Sequence, residues 1–406
     1  MRPLDQAFVR TQFPALGRGQ VFLDNAGGSQ IAKPVVERLT EFLYGANVQT
    51  GASYAASARA GALVAEGRAA LATLLNASRP EEVIMGATST QLFDQLARAL
   101  VQSWSPGDEV IVTNFDHQAH ITPWARLADH GIVVKEWSLR PGSHVAELED
   151  LADLLTERTR LVAVTHASNI FGTINPIPQM AKMVHAAGAQ ISVDGVAYAP
   201  HRAIDVQALD VDFYGFSIYK VYGGHFAALY GRYDALLAAG SVNHDFIPND
   251  KLPQKMEPGN ASHELAYSCA GVLAYLEALA QAHGSNATGR PAVEAAFDLI
   301  AEHEEQLSTK FLDYLASRKD VTLYGEPSPD KAARVPTISF TLDGKSSRAV
   351  VEGTDATGIG IRWGDFYSRR LIEALGLLPE GVIRVSAVHY NTEDEFDALI
   401  QHLETV

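Results

Sequence analysis

Two residues of opposite charge follow neighbouring predicted strands. In the segment VDGVAYAPHRAIDVQALDVDFYGFSIYKVYGG, which begins at Val193, one predicted strand ends on Asp194 and the next on Ser217, with Lys220 in the loop beyond. Both side chains therefore reach one edge of a sheet. Pyridoxal phosphate chemistry needs such a pair, because the lysine amine forms a Schiff base with the aldehyde and a buried carboxylate keeps the pyridine nitrogen protonated. The alternative is that Asp194 caps a turn and Lys220 lies on a solvated loop.

Three further segments place polar groups near the same edge. In GATST, Thr88, Ser89 and Thr90 open a helix directly after a strand, where free N–H groups can bind an anion, although an ordinary N-cap has the same pattern. In DHQAH, His117 could lie flat on a pyridine ring or cap a loop, and its pairing with His120 lacks further metal ligands at a suitable spacing. In HASNIFGTINP, Asn169 could bond the cofactor's phenolic oxygen or form a turn. We expect no metal site.

The elements that carry these residues alternate between short β-rich runs and helical stretches. This order predicts a largely parallel sheet with helices on both faces, in which ligands bind beyond the carboxyl ends of the strands. The predicted strands are Glu82–Met85, Glu109–Thr113, Val133–Trp137, Leu161–Thr165, Gln190–Val193 and Phe213–Ser217. The predicted helices between them include Thr88–Gln102, His120–His130 and Pro178–Ala187.

A polar, turn-rich stretch, GSNATGRP at residues 284–291, predicts a domain boundary. We expect a large α/β domain over residues 21–283 and a small α+β C-terminal domain over 284–406, with an N-terminal arm, residues 1–20, packed on the latter. The small domain is predicted to hold helices at Ala292–Arg318, Arg369–Leu375 and Thr392–Thr405, and strands at Val321–Tyr324, Thr337–Leu342 and Val382–Ser386.

The composition excludes several classes of protein. The 406 residues contain 32 Lys+Arg against 48 Asp+Glu, a formal charge of −16, which argues against nucleic acid or an anionic membrane as partner. A single cysteine cannot form an internal disulfide or a thiolate zinc site. No segment approaches the roughly 20 apolar residues of a membrane helix, and the start lacks a signal-peptide core. We therefore expect a cytoplasmic enzyme.

Taken together, these residues resemble the class V aminotransferase family of fold-type I pyridoxal phosphate enzymes, and within it the cysteine desulfurase and selenocysteine lyase branch. The likeness runs from residue 22 to residue 392 through LDNAGG, GATST, DHQAH, HASNIFGTINP, VDG, SIYK, EPGN, RWGDFY and IRVSAVHYNT. It implies a large domain with a mostly parallel seven-stranded sheet, a small α+β domain, pyridoxal 5'-phosphate as cofactor and an amino acid as substrate.

The resemblance also implies roles for single residues. Lys220 matches the Schiff-base lysine, Asp194 the pyridinium contact, His117 the ring-stacking and proton-transferring histidine, Thr88 and Ser217 the phosphate ligands, and Asn169 the amide near the phenolic oxygen. Arg384 occupies the place of the arginine that binds the substrate carboxylate, a task suited to a planar guanidinium. Arg362 and Tyr367 lie in the matching substrate-binding loop. Asn260 falls where the neighbouring subunit donates a phosphate ligand, which implies a homodimer with shared active sites.

Several positions depart from the branch. The loop that carries the desulfurase nucleophile has Tyr367 in place of the cysteine, and the only cysteine, Cys269, lies in an apolar helical segment typical of a core. Ala197 replaces a glutamine that bonds the cofactor ring, Tyr219 replaces the histidine before the lysine, and Asn260 replaces a threonine. These changes are compatible with cofactor binding and argue against a persulfide mechanism.

The resemblance predicts an external aldimine followed by removal of the α-proton, with Lys220 as base. We favour loss of a β-substituent, hence a desulfurase-like lyase without the persulfide cysteine. Transfer of the amino group to a keto acid by an aminotransferase is the main alternative. Reprotonation of the α-carbon by an epimerase, and a non-catalytic protein that only binds the cofactor, also fit the motifs.

Overall fold

The structure is a computed structural model, and it describes residues 3–406. Its strands are β1 Val21–Phe22, β2 Val83–Gly86, β3 Glu109–Thr113, β4 Val133–Trp137, β5 Thr159–Thr165, β6 Gln190–Asp194, β7 Phe213–Ser217, β8 Ala227–Gly231, β9 Val321–Tyr324, β10 Thr337–Leu342, β11 Ile359–Gly360, β12 Arg362–Gly364 and β13 Val382–Ser386. Its helices are α1 Gln6–Thr11, α2 Lys33–Gly45, α3 Ala55–Leu75, α4 Ser89–Leu100, α5 Gln118–Ala125, α6 Leu148–Leu154, α7 Ile177–Ala186, α8 Val206–Leu209, α9 Tyr233–Ala238, α10 His263–Ala282, α11 Arg290–Ser317, α12 Ser347–Asp355, α13 Arg369–Ala374 and α14 Glu393–Leu403.

The large sheet has seven strands in the order β2-β8-β7-β6-β5-β3-β4. Strand β8 runs antiparallel to both of its neighbours, and the other pairs are parallel. The α/β fold with a large, mostly parallel sheet is therefore confirmed. The six predicted strands lie in this sheet, and the sequence analysis missed β8.

Both faces of the large sheet are covered, because successive side chains along a strand pack into two different cores. In β5, Leu161 and Ala163 pack into the core beneath α4 and α5, whereas Val162 and Val164 pack into the core beneath α3, α7 and α10. Because successive side chains of a strand point to opposite faces, a strand buried on both sides needs an uninterrupted apolar run. The run from Leu161 to Val164 meets that requirement.

The second sheet has four antiparallel strands in the order β12-β13-β10-β9 and forms a separate core with α12, α14 and the end of α11. The three predicted strands of the small domain agree with β9, β10 and β13, and β12 is an additional edge strand. In the pairing of β12 with β13, Arg362 lies opposite Arg384. Two guanidinium groups are therefore held side by side.

Some segments join the two parts of the fold. Helix α11 packs its first half in the main core and its second half in the small core. The N-terminal arm buries Val9 and Phe13 in the main core, while Arg10 forms an ion pair of 2.8 Å with Glu395 of α14. Strand β1 pairs with β11 of the C-terminal part. The arm thus contacts both parts, and the division at residue 284 stays a prediction.

Helix α10 is apolar and long enough to cross a membrane by length and composition, and it is the one such helix among residues 3–406. Most of its apolar window is buried inside the protein, where it packs against α2 and α3. At Gly67 of α3 the two backbones are so close that an added Cβ would overlap the carbonyl oxygen of Ala266. Burial in the core therefore explains the apolar character of α10.

This contact yields a test of the packing. Gly67→Ala should lower the free energy of unfolding by about 2 kcal/mol, because the methyl group overpacks rigid backbone. Gly61→Ala in the same helix meets no atom within 4 Å, and should raise the free energy of unfolding by up to about 1 kcal/mol through helix propensity. Thermal and urea unfolding of the two variants beside the wild type measure the difference. Equal effects would contradict the close approach of α3 and α10.

Candidate active site

The carboxyl ends of three central strands meet at one edge of the large sheet. Thr165 at the end of β5 pairs with Asp194 at the end of β6, and Asp194 pairs with Gly215 of β7. Strand β7 then continues to Ser217 and a single helical turn that ends on Lys220. The predicted carboxylate and lysine are therefore brought to one edge, as strand order requires.

Asp194 is a buried carboxylate. One of its oxygens accepts a hydrogen bond of 2.8 Å from the Val196 N–H. Gly195 between them has no room for a side chain, because a Cβ would overlap the ring of Tyr214. Burial and the nearby Asp116 raise the pKa of Asp194 to about 6. A cationic hydrogen-bond donor is the partner that such a carboxylate needs.

Lys220 is only 9% exposed, so it does not lie on a solvated loop. Burial, and next the positive charge of Arg384, lower the pKa of its amine to about 8. A substantial share of the amine is therefore neutral near pH 8. A neutral amine can attack an aldehyde or accept a proton.

Lys220 stands between two cavities that share several lining residues. The outer cavity has a volume of about 500 Å³ and the inner one of about 60 Å³. The predicted residues that line the outer cavity are His117, Asn169, Lys220, Arg362, Tyr367 and Arg384, and those that line the inner cavity are Ser89, His117, Asn169, Asp194 and Lys220. The structure thus brings most of the predicted site together around one lysine.

His117 lies in the walls of both cavities and caps α5, since its Nδ1 accepts a hydrogen bond of 3.0 Å from the Ala119 N–H. Burial, followed by the charges of Lys220 and Arg384, lowers its pKa to about 3. The imidazole is therefore neutral at physiological pH, with its proton on Nε2 because Nδ1 acts as an acceptor. Such a ring can stack on an aromatic group or exchange a proton through Nε2.

The start of α4 supplies hydroxyl groups. Ser89 and Ser217 are buried with their Oγ atoms 3.0 Å apart, and Thr90 lines both cavities. Thr88 is exposed, and its hydroxyl accepts the N-cap hydrogen bond from Gln91. Thr90, rather than the predicted Thr88, faces the cavities.

Arg384 is buried, and its guanidinium group is partly occupied. It donates to Asp24 Oδ1 at 2.9 Å and to the Asn169 carbonyl at 3.2 Å, and it stacks on Phe366 with 3.7 Å from Cζ to the ring centroid. Arg362 lies 3.8 Å from the other oxygen of Asp24 and is exposed. Asp24, which the sequence analysis did not single out, therefore stands between the two paired arginines.

The loop that carries Tyr367 is hydrogen-bonded at several points to residues that follow β5 and begin α5. Asn169 donates to the Phe366 carbonyl at 3.0 Å and accepts from the Ser368 hydroxyl at 2.8 Å, and the Gln118 N–H donates to the Tyr367 carbonyl at 2.8 Å. Phe366 and Tyr367 both have positive φ, +50° and +59°, which is unfavourable for side chains with a Cβ. The amide of Asn169 is thus already bonded to this loop, and the loop forms one wall of the cavity.

Tyr367 is 69% exposed, with its ring 5.5 Å from that of His117. It therefore presents a hydroxyl group at the cavity that contains Lys220. Cys269, by contrast, is fully buried in α10, where its thiol donates to the Leu265 carbonyl. Burial raises the pKa of this thiol to about 12. The only thiol of the chain is thus a protonated core group.

Asn260 does not share a cavity with Lys220. It is exposed, has a φ of +65°, and lines a separate cavity of about 150 Å³ together with Gly86, Gln91 and His225. Within one chain, this predicted cofactor residue therefore lines neither of the two cavities at Lys220.

Ala197 and Tyr219, which replace polar family residues, both line the inner cavity. Tyr219 stacks on His225 at 5.0 Å between ring centroids. The sequence analysis also passed over Asp116, although this acid precedes His117 directly. Its Oδ2 lies 2.8 Å from Nδ1 of His120, and the pair is buried. The helical spacing of four residues between Asp116 and His120 was the available signal.

Comparison with known proteins gives one consistent result. The sequence profile of the family described as "Aminotransferase class-V" matches residues 21–399. The chain is similar to the aminotransferase-like protein FGM3 of Gibberella zeae, with 47% identity over 98% of this chain and 97% of that protein. It is also similar to the cysteine desulfurase-like protein ustD of Aspergillus flavus, with 32% identity over 99% of this chain and 91% of that protein.

The same kinship is seen among solved structures. The cysteine desulfurase CsdA of Escherichia coli superposes with a TM-score of 0.84 and 26% identity, covering 100% of this chain and 98% of that one. The similarity thus includes both sheets and the segments that join them.

The burial of Cys269 yields a test. At pH 8 a thiol with a pKa of about 12 is ionised in roughly one molecule in ten thousand, and it is also shielded from solvent. The folded protein should therefore not react with a chromogenic thiol reagent, and the protein in guanidinium should release one equivalent per chain. Rapid reaction of the folded protein would contradict a core thiol.

Proposed function

The chain belongs to the class V aminotransferase family of pyridoxal 5'-phosphate enzymes, and on that premise we propose that it is a lyase that removes the β-substituent of an α-amino acid. The observation that carries the proposal is the position of the two candidate nucleophiles. Tyr367, which the resemblance matches to the nucleophilic cysteine of the desulfurase branch, lines the outer cavity, and Cys269 is buried in α10. The reaction would therefore use no persulfide.

The residues fit the cofactor. Asp194 is a buried carboxylate with a raised pKa at the inner cavity, and the protonated pyridine nitrogen is the cationic donor that would stabilise it. The hydroxyl groups of Ser89 and Ser217 and the start of α4 suit a phosphate, because free helical N–H groups favour an anion. Lys220 would bind the aldehyde, and the neutral ring of His117 would cover one face.

When bound, the cofactor withdraws electrons from the α-carbon of an amino acid held at its aldehyde carbon. Lys220 would remove the α-proton, since its amine has a pKa of about 8. Arg384 and Arg362 would bind the α-carboxylate, which would join Asp24 as a second acid between the guanidinium groups. The β-substituent would leave with its bonding electrons, and water would convert the dehydroamino acid to a keto acid and ammonia.

Amino-group transfer to a keto acid is the second candidate. It is favoured by the name of one relative, the aminotransferase-like protein FGM3, at 47% identity. Lys220 would serve this reaction as well, because the same amine would deliver the proton that it had removed. The β-substituent would then stay on the substrate. The two reactions differ in their products, since only the lyase releases ammonia without a second substrate.

The first test concerns Lys220. The purified protein should absorb in the visible range, and Lys220→Ala should lose that band and all turnover, because no amine then binds the aldehyde. Lys255→Ala is the matched control, since Lys255 is also buried but lines neither cavity and bonds the carbonyls of Leu237 and Ala239. A colourless wild type would contradict the cofactor site.

A keto acid with ammonia supports the lyase, and keto acid without ammonia supports the aminotransferase.

We also propose a homodimer in which Asn260 completes the phosphate site of the partner. The support is that Asn260 is exposed and lies in a cavity apart from Lys220, so that within one chain the two do not meet.

A mixing experiment tests the shared site. Lys220→Ala and Asn260→Asp should each be inactive alone, because the aspartate repels the phosphate. A refolded mixture should regain part of the wild-type activity, since one site of each heterodimer then has both native residues. A mixture without activity would contradict the shared site.

A further inference from the structure

A buried group of three side chains lies beside Asp194. Asp116 Oδ2 is 2.8 Å from His120 Nδ1, and His120 Nε2 is 2.9 Å from Ser192 Oγ. His120 and Ser192 are fully buried and Asp116 is 1% exposed. The second carboxylate, Asp194, belongs to the same cluster, because ligand atoms of Asp116, His120 and Asp194 all lie within 4.8 Å of one another.

The three side chains come from different elements that converge at the carboxyl edge. Asp116 lies in the loop after β3, His120 in the first turns of α5, and Ser192 in β6. Ser192 and Asp194 are two residues apart in one strand and therefore point to the same face. His120 thus lies against the face from which Asp194 reaches the inner cavity.

Two carboxylates in one buried cluster cannot both ionise without a compensating charge. Asp116 raises the pKa of Asp194, and His120 acts in the opposite direction. The charged or titratable groups that bear on Asp194 are Asp116, His120, Lys220, Tyr214 and Tyr219. Lys220 would be consumed in binding the aldehyde, so its amine would no longer be free to pair with Asp194. His120 is the other group of this cluster that can carry a positive charge.

We propose that His120 is a positioning residue that holds a positive charge between Asp116 and Ser192, so that Asp194 stays ionised and keeps the ring nitrogen of the cofactor protonated. Both ring nitrogens of the imidazolium then donate, Nδ1 to the Asp116 carboxylate and Nε2 to the Ser192 hydroxyl. His120 does not touch the cavity and acts only through Asp194. The inference rests on the proposed contact between Asp194 and the ring nitrogen.

If His120 acts through Asp194, the effect of its substitution on cofactor affinity should depend on the ring nitrogen of the cofactor. His120→Asn leaves two carboxylates without compensation, and Asp194 then takes up a proton and no longer stabilises the protonated ring. The affinity for pyridoxal phosphate should fall about tenfold, which corresponds to one pKa unit. The affinity for an analogue with carbon in place of the ring nitrogen should change little. Asp116→Asn together with His120→Asn removes the second carboxylate and should restore most of the affinity for pyridoxal phosphate.

The experiment measures equilibrium binding of both compounds to the apoprotein of the wild type and the variants at one pH. His201→Gln is the matched control, because His201 forms a buried pair of 2.9 Å with Glu304 but lines neither cavity. A loss of affinity that is equal for both compounds would mean that His120 is only structural. Unchanged affinity in His120→Asn, or no restoration in the double variant, would also overturn the proposal.

Asp194→Asn separates this inference from the proposed function. If this substitution lowers the affinity for pyridoxal phosphate and for the carbon analogue equally, Asp194 does not contact the ring nitrogen. The inference about His120 is then wrong. The assignment of Lys220 and the identity of the products are measured independently and would stand. If Asp194→Asn lowers only the affinity for pyridoxal phosphate, the affinities measured for His120→Asn and for the double variant decide the inference.

Discussion

Charge compensation in a buried space is the constraint on which this site depends. Lys220 and Arg384 are both almost fully buried at one cavity, and each cation is costly to remove from water without a partner. Asp24 pairs with Arg384, and the charges of Asp194 and Asp24 both act on Lys220. Burial lowers the pKa of the Lys220 amine and raises the pKa of the Asp194 carboxyl, and the nearby charges modify both values. Both values are displaced toward the pH at which an enzyme operates.

The fold was largely predictable because its signals are local. Runs such as Glu109–Thr113 and Phe213–Ser217 are short, apolar and rich in β-branched or aromatic residues, and their observed bounds equal the predicted ones. Strand β8 was missed because Ala227–Gly231 contains no β-branched residue and directly follows a glycine-rich loop. Its place in the sheet is fixed by antiparallel pairing with β2 and β7, which no local pattern reveals.

Site residues were predictable where the end of a single strand fixes their position. They were less predictable where the contact joins segments that are distant in the sequence. The placement of Asp194 and Lys220 at one edge of the sheet follows from the strand ends, and both residues line the inner cavity. Asp24 acquires its role only because the register of β12 and β13 sets Arg362 opposite Arg384. In the sequence, His120 was considered only as a metal partner of His117 and was set aside for lack of further ligands. Its observed partners are Asp116 and, 72 residues away, Ser192.

The loop around Tyr367 has a consequence for how a product leaves. Its carbonyl groups are bonded to Asn169 and Gln118, and Phe366 lies under the guanidinium of Arg384. An enzyme that hands a sulfur atom to an acceptor protein needs a carrier arm that can travel between the two partners. Tyr367 has no thiol that could carry a sulfur atom, and its loop is hydrogen-bonded to neighbouring elements. Under the proposed function, the product formed beside Lys220 would leave as a free molecule through the mouth of the outer cavity.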